Sequence, residues 1–206
     1  MNVLLSALRN DWLEATAVAF GIISVYLSVR QNIWSWPTAI VNVLLYFLVF
    51  RQAKLYADMG LQLVYFALSV YGWYEWLFGG AHKTRLRVSR ATVRDWAILV
   101  PLALAFAIGL GTFLSRHTDS PVPYLDASLT AASLVAQWMM TRKQLENWVV
   151  WLGADIVYVP TFLARHLPST AVQYAVFLVL AAMGWVQWKR SYAADRQADI
   201  VVPVPA

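Results

Sequence analysis

The sequence is a series of long apolar runs separated by short polar breaks. Crossing about 30 Å of hydrocarbon takes a helix of about 20 mostly apolar residues. Seven runs meet this requirement, near residues 12–29, 33–50, 57–78, 96–115, 124–140, 147–163 and 170–188. We therefore predict an all-α membrane protein with seven transmembrane helices, forming a single membrane domain over residues 1–206 and ending in a disordered tail at 190–206.

Composition supports a chain that is solvated by lipid. Hydrophobic residues make up 60% and charged residues 13%, and a water-soluble domain carries about 25% charged residues. The chain has no cysteine, so disulfides and thiolate metal sites are excluded. We expect no catalytic residues, no metal site and no cofactor. The net charge of +5 lies in short clusters between apolar runs, where membrane orientation explains it better than nucleic-acid binding does.

The basic residues divide unevenly between the two faces that seven alternating spans define. One face receives 5 and the other 11 of the 16 lysines and arginines. The smaller set is Arg9, Arg51, Lys54, Arg116 and Arg165. Because cytoplasmic loops carry the excess of positive charge, the amino terminus is predicted outside and the carboxyl terminus in the cytoplasm.

The chain contains an internal repeat at an offset of 112 residues. Residues 11–76 laid over 123–188 without a gap give 13 identities in 66 positions. The identities include rare residues, pairing Trp36 with Trp148, Tyr46 with Tyr158, Gly72 with Gly184 and Trp76 with Trp188. We predict two parallel three-helix repeats, 11–78 and 123–188, joined by a linker helix at 96–115, with a substrate site near the midplane between the halves.

Polar side chains follow helical spacing inside several spans. Gln137 and Thr141 lie on one face of the fifth span, and Trp148, Trp151, Asp155 and Tyr158 lie on one face of the sixth. Asn42 and Tyr46 in the second span and Gln62 in the third continue the pattern. The alternative is interhelical hydrogen bonding for the hydroxyls and amides, with a membrane-belt role for the tryptophans, as we predict for Trp188.

Asp155 fits that alternative poorly. It lies about nine residues into its span, and a carboxylate near the bilayer centre needs a partner or a watery cavity. No lysine or arginine falls in the central part of any span, which disfavours a phosphorylated substrate. Aromatic walls with amides, hydroxyls and a carboxylate suit a flat, neutral or cationic molecule such as a nucleoside or a cationic vitamin.

Several motifs resemble those of the PnuC family of bacterial vitamin transporters. The specific part is the W-x-x-W pattern in Glu146-Asn147-Trp148-Val-Val-Trp151, preceded by Gln137-Trp-Met-Met-Thr-Arg-Lys and followed by Tyr158-Val-Pro160. Trp34-Ser-Trp36-Pro37 and Tyr71-Gly-Trp-Tyr-Glu-Trp76 are also similar, so the resemblance covers residues 12–190.

The resemblance implies a SWEET-like arrangement of three, one and three helices in the bacterial inner membrane. It also implies a homotrimer that imports nicotinamide riboside by facilitated diffusion, supplying NAD biosynthesis after intracellular phosphorylation. Site residues carried over from the family are Gln137, Asn147, Trp148, Trp151, Tyr158, Asn42 and Tyr46. Residue depth and helical face, together with the motifs, add Trp36, Gln62, Thr141 and Asp155.

The sequence leaves other functions open. One is a PnuC-like carrier of another cationic vitamin such as thiamine, and another is a SWEET-type sugar carrier, because tryptophan faces also stack on sugars. A seven-helix receptor or photoreceptor and a membrane enzyme are less favoured. A retinal protein needs a Schiff-base lysine in its last span, and residues 170–188 contain none. A membrane enzyme would need a nucleophile or metal site, but the three histidines all lie in predicted loops.

The charge asymmetry makes the topology testable. A reporter fused after Lys189 should be active in the cytoplasm, and a cysteine introduced at Ser120 should react with an impermeant reagent applied to intact cells. A cysteine placed in the 82–94 loop serves as the opposite control, and its labelling from outside would show that the span count is wrong.

Overall fold

The computed structural model describes residues 2–54, 56–164 and 168–201, and it is helical over most of them. The seven long helices are α1 (Asn2–Val29), α2 (Ser35–Gln52), α3 (Tyr56–Phe78), α4 (Val93–His117), α5 (Pro123–Thr141), α6 (Asn147–Ala164) and α7 (Pro168–Val201). Within these residues the β structure is a single bridge between Ser89 and Gln144. The predicted all-α class and the seven predicted helices are confirmed.

Four of the helices are long and apolar enough to cross a membrane by length and composition alone. These segments are Trp12–Val29, Val93–His117, Asn147–Ala164 and Thr170–Ala198, found among the described residues. The remaining helices, α2, α3 and α5, are three of the four in which the sequence analysis found polar side chains at helical spacing. The chain is a multi-pass membrane protein in which the less apolar helices have polar groups to shield from lipid.

The prediction of a disordered tail from residue 190 is wrong as far as Val201, because α7 continues through that residue. Residues 190–201 contain alanine, arginine and glutamine but no glycine or proline, so nothing in this stretch ends the helix. The 34 residues of α7 span about 51 Å, more than the hydrocarbon layer needs. Residues 202–206 lie outside the described part of the chain.

The predicted single domain divides into two compact units, a first unit of residues 1–86 and a second unit of residues 87–206. In the first unit α2 packs against both α1 and α3. In the second unit α6 packs against both α5 and α7. Helix α4, the predicted linker, packs along α5 and so belongs to the second unit.

The same turn precedes α2 in the first unit and α6 in the second unit. Gln31 and Lys143, 112 residues apart, both have a positive φ, of 52° and 54°. The amide of Asn32 donates to the carbonyl of Leu27, and the amide of Gln144 donates to that of Met139. Together with the bonds from Gln31 to Ser28 and from Lys143 to Met140, these form a Schellman ending of α1 and of α5.

One tryptophan pair joins α2 to α3, and an equivalent pair joins α6 to α7. Trp36 meets Trp76 edge to face, with ring centroids 5.3 Å apart, and Trp148 meets Trp188 in the same way at 5.4 Å. Trp188 is fully buried, so its predicted place in a membrane belt is wrong. A tryptophan at the end of an apolar run looks the same in sequence whether it faces headgroups or packs against a neighbouring helix.

An extended segment before α4 is fastened to the turn between α5 and α6. The Ser89 amide donates to the Lys143 carbonyl, and the Leu145 amide donates to the Ser89 carbonyl. Arg90 donates through Nε to Glu146 Oε1 at 2.9 Å, and this hydrogen bond raises the pKa of the Arg90 guanidinium. These bonds hold the first turn of α6, where the W-x-x-W motif begins.

Candidate functional site

The first turn of α6 presents buried polar atoms that lack partners among the described residues. Asn147 and Trp148 are almost completely buried. Asn147 donates through Nδ2 to the Gln144 carbonyl at 2.6 Å, but Asn147 Oδ1 and Trp148 Nε1 have no hydrogen-bond partner. Because a buried polar group without a partner costs about 1–3 kcal/mol, these atoms are suited to a polar ligand or to bound water.

Asp155 lies two turns further along the same helix. It is only 2% exposed, and no hydrogen bond or ion pair to its carboxylate is found among the described residues. Trp151, one turn before it, is half-buried. A buried carboxylate beside an aromatic ring is a favourable environment for a cationic aromatic molecule, because such a molecule supplies the missing positive charge and a stacking surface.

Tyr158 belongs to an aromatic cluster between α6 and α7. Its ring lies 4.4 Å from that of Tyr174 and 5.7 Å from that of Phe162, centroid to centroid. The Phe162 and Tyr174 rings stack at 5.0 Å. Sequence reasoning missed Tyr174, since an aromatic residue in an apolar run carries no sign of which helix it faces. The cluster positions the Tyr158 ring by packing.

On α5 the two predicted residues differ in how their polar groups are used. Thr141 is completely buried, and its hydroxyl donates to the Trp138 carbonyl of its own helix at 2.7 Å. That bond supports the structural alternative for Thr141. Gln137 is half-buried and lies one turn before Thr141.

The four residues predicted from the first repeat lie in the first unit. The Asn42 amide donates to the Ala17 carbonyl at 2.6 Å, joining α2 to α1. Trp36 is buried against Trp76, and Tyr46 stacks on Phe50 at 5.6 Å. Gln62 is half-buried on α3. Contacts between packed helices and side chains therefore explain much of why Trp36, Asn42 and Tyr46 occur at these positions.

The two repeats differ at the positions that carry polar candidates. At the offset of 112, Gln137, Thr141, Trp151 and Asp155 of the second unit correspond in order to Val25, Val29, Ala39 and Val43. Both units retain the packing residues, but only the second has polar groups at these four positions. The candidate chemistry is thus concentrated on α5 and α6.

Two further buried polar atoms without a partner among the described residues, Ser35 Oγ and Trp36 Nε1, lie in the first turn of α2. An apolar groove runs along α4, α5 and the start of α6, from Trp96 to Ala107 on α4, and no candidate site residue lines it. Among the described residues no cluster of three or more histidine, aspartate or glutamate side chains could hold a metal ion.

These features define a multi-pass helical membrane protein with a buried polar and aromatic face on α6. The chain belongs to the family described as nicotinamide mononucleotide transporter, whose sequence profile matches residues 11–190. That match confirms the PnuC-family resemblance seen in the motifs.

Characterised relatives resemble almost the whole chain. It is 25% identical to the nicotinamide riboside transporter PnuC of Escherichia coli strain K12, over 88% of this chain and 86% of that protein. It is 26% identical to the riboflavin/roseoflavin transporter RibM of Streptomyces davaonensis, over 86% of this chain and 84% of that protein. A crystal structure of the vitamin B3 transporter PnuC has a similar fold, with a TM-score of 0.69 and 24% identity over 92% of this chain and 85% of that one.

Proposed function

We propose that this protein carries nicotinamide riboside across the bacterial inner membrane, and that α6 supplies most of the site. The observation that carries the proposal is Asp155, a buried carboxylate without a cationic partner among the described residues. Nicotinamide riboside has a positively charged pyridinium ring, which would pair with Asp155 and stack on Trp151. Its ribose hydroxyls would satisfy polar atoms such as Asn147 Oδ1.

The family description names the mononucleotide, but the charges in this chain favour the riboside. A phosphate group needs fixed cations or helix N-termini to replace its hydration. No lysine or arginine lies in the central part of any predicted span. A phosphate there would face Asp155 without compensation, and the repulsion would weaken binding.

Riboflavin is the second candidate, because the relative RibM is named for it. The flavin ring is also flat and would stack on Trp151, but it is neutral and gives the Asp155 carboxylate no counter-charge. Thiamine carries a positive ring and would use the same groups. We rank the riboside first on this charge argument and on the naming of several relatives.

The proposal also covers the mode of transport and the oligomeric state. We propose facilitated diffusion by a carrier that performs no chemistry, with repeats 11–78 and 123–188 around the 96–115 linker and a homotrimer as the assembly. The five-to-eleven division of basic residues supports an outside amino terminus and a cytoplasmic carboxyl terminus. Trp36, Asn42, Tyr46 and Gln62 stay predictions for the first repeat's part of the site.

Trp151 gives a direct test of the stacking surface. Replacing it by alanine should weaken riboside binding by about 1–3 kcal/mol, or about ten- to hundredfold, taking base–aromatic stacking as the guide. Calorimetry on purified protein measures the change. The control is Trp12→Ala, because Trp12 is 58% exposed near the start of the first span. Unchanged affinity in a well-folded Trp151→Ala protein would remove Trp151 from the site.

Asp155 gives a test of substrate charge. Asp155→Asn keeps the shape and removes the negative charge, so riboside affinity should fall by about tenfold or more, in line with the loss of a buried charge pair. Riboflavin binding should change little or improve, because a neutral ring gains nothing from the carboxylate. If the two ligands lost affinity equally, Asp155 would be a structural residue and the charge argument would be wrong.

The energetics are testable in liposomes. The chain has no G-x-x-x-x-G-K-[ST] sequence for nucleotide binding, and the PnuC-family resemblance implies facilitated diffusion. Purified protein should therefore equilibrate labelled nicotinamide riboside without a proton or sodium gradient. Protein-free liposomes are the control. Accumulation above equilibrium that a protonophore abolishes would instead show proton coupling.

A further inference from the structure

We infer that Gly184 and Trp188 of α7 are positioning residues for the substrate site: they set substrate affinity by fixing the Trp148 ring, without contacting the substrate. The inference rests on the proposed function, since it concerns the affinity of that site. Trp188 is buried against α6 instead of lying in a membrane belt, as the sequence had predicted.

Two residues of α7 confine the Trp148 ring. Its centroid lies 5.4 Å from that of Trp188, and the two ring planes are at 89°. A Cβ added to Gly184 would lie 2.5 Å from two atoms of the same ring. Gly184 and Trp188 are four residues apart, so they lie on one face of α7 and act on the ring together. The ring has no room to move toward α7.

The position of this ring determines the position of the site. Trp148 is in the first turn of α6, next to Asn147 and one turn before Trp151. Asp155 follows one turn after Trp151. A shift of the Trp148 ring must move the first turn of α6, because the ring is 1% exposed and surrounded by packed groups. Interiors of this density transmit displacements to their neighbours instead of absorbing them.

The experiment compares two glycines in the second unit that each contact an aromatic ring. Gly184→Ala places a methyl 2.5 Å from the Trp148 ring, and the control Gly111→Ala places one 2.5 Å from the Tyr124 ring, between α4 and α5. Calorimetric titration with nicotinamide riboside gives the dissociation constant and the stoichiometry. The stoichiometry shows what fraction of each variant is folded, so lower stability cannot be mistaken for lower affinity.

Gly184→Ala should raise the dissociation constant about ten- to hundredfold at unchanged stoichiometry, the range expected for a methyl group forced into packed space. Gly111→Ala should stay within about threefold of the parent, the scatter expected for an independent site. Equal dissociation constants for Gly184→Ala and the parent would overturn the inference, and so would an equal loss in Gly111→Ala.

Variants of Trp188 test the second contact of the Trp148 ring, and they remain informative if Gly184→Ala does not fold. Trp188→Phe keeps an aromatic neighbour and should retain most of the affinity, whereas Trp188→Leu should lose about tenfold, because the edge-to-face contact disappears. Equal affinities in the Phe and Leu variants would contradict a positioning role. If the parent protein itself bound no riboside, the proposed substrate would be wrong. If the parent and Gly184→Ala bound it equally well, the substrate would stand and only the positioning inference would be wrong.

Discussion

The contact on which much of this structure depends is an edge-to-face pair of tryptophans packed over a glycine. It occurs once in each unit, as Trp36 with Trp76 over Gly72 and as Trp148 with Trp188 over Gly184. In a bilayer the hydrophobic effect does not drive helices together, so close packing and hydrogen bonds must do so. An aromatic pair contributes about 0.5–1.5 kcal/mol beyond its buried area, and glycine permits the close approach that the pair requires.

The duplicated contact separates the parts of the repeats that build the fold from the parts that differ between the two copies. Both units keep the left-handed residue that follows α1 or α5, the tryptophan pair, the glycine and the stacked tyrosine and phenylalanine. They differ where Asp155 stands against Val43 and Trp151 against Ala39. Packing constrains the first set in both copies. The second set differs although Asp155 and Val43 are both buried, and this difference supports the proposal of a site dominated by one repeat.

The sequence predicted the helices well, because long apolar runs and charged breaks are direct consequences of the bilayer. It predicted the repeat for a related reason: the identities at Trp36, Gly72 and Trp76 are the packing residues themselves. Prediction from the sequence failed for features that depend on contacts between residues far apart in the chain. The burial of Trp188, the bond from Asn42 to the Ala17 carbonyl and the attachment of Ser89 to the α5–α6 turn have no local signal.

In the proposed site, the buried carboxylate of Asp155 would link binding to the transport cycle. A carboxylate in a low-dielectric interior is strongly unfavourable unless a positive charge or several hydrogen bonds accompany it. If the cargo is a cation, the loaded carrier has that charge in place and buries a neutral pair. The empty carrier has no such charge in place, so in the proposed uncoupled cycle Asp155 must be hydrated while the site changes sides. Under the proposed function, cation recognition and the relative ease of moving loaded and empty carriers then have the same physical origin.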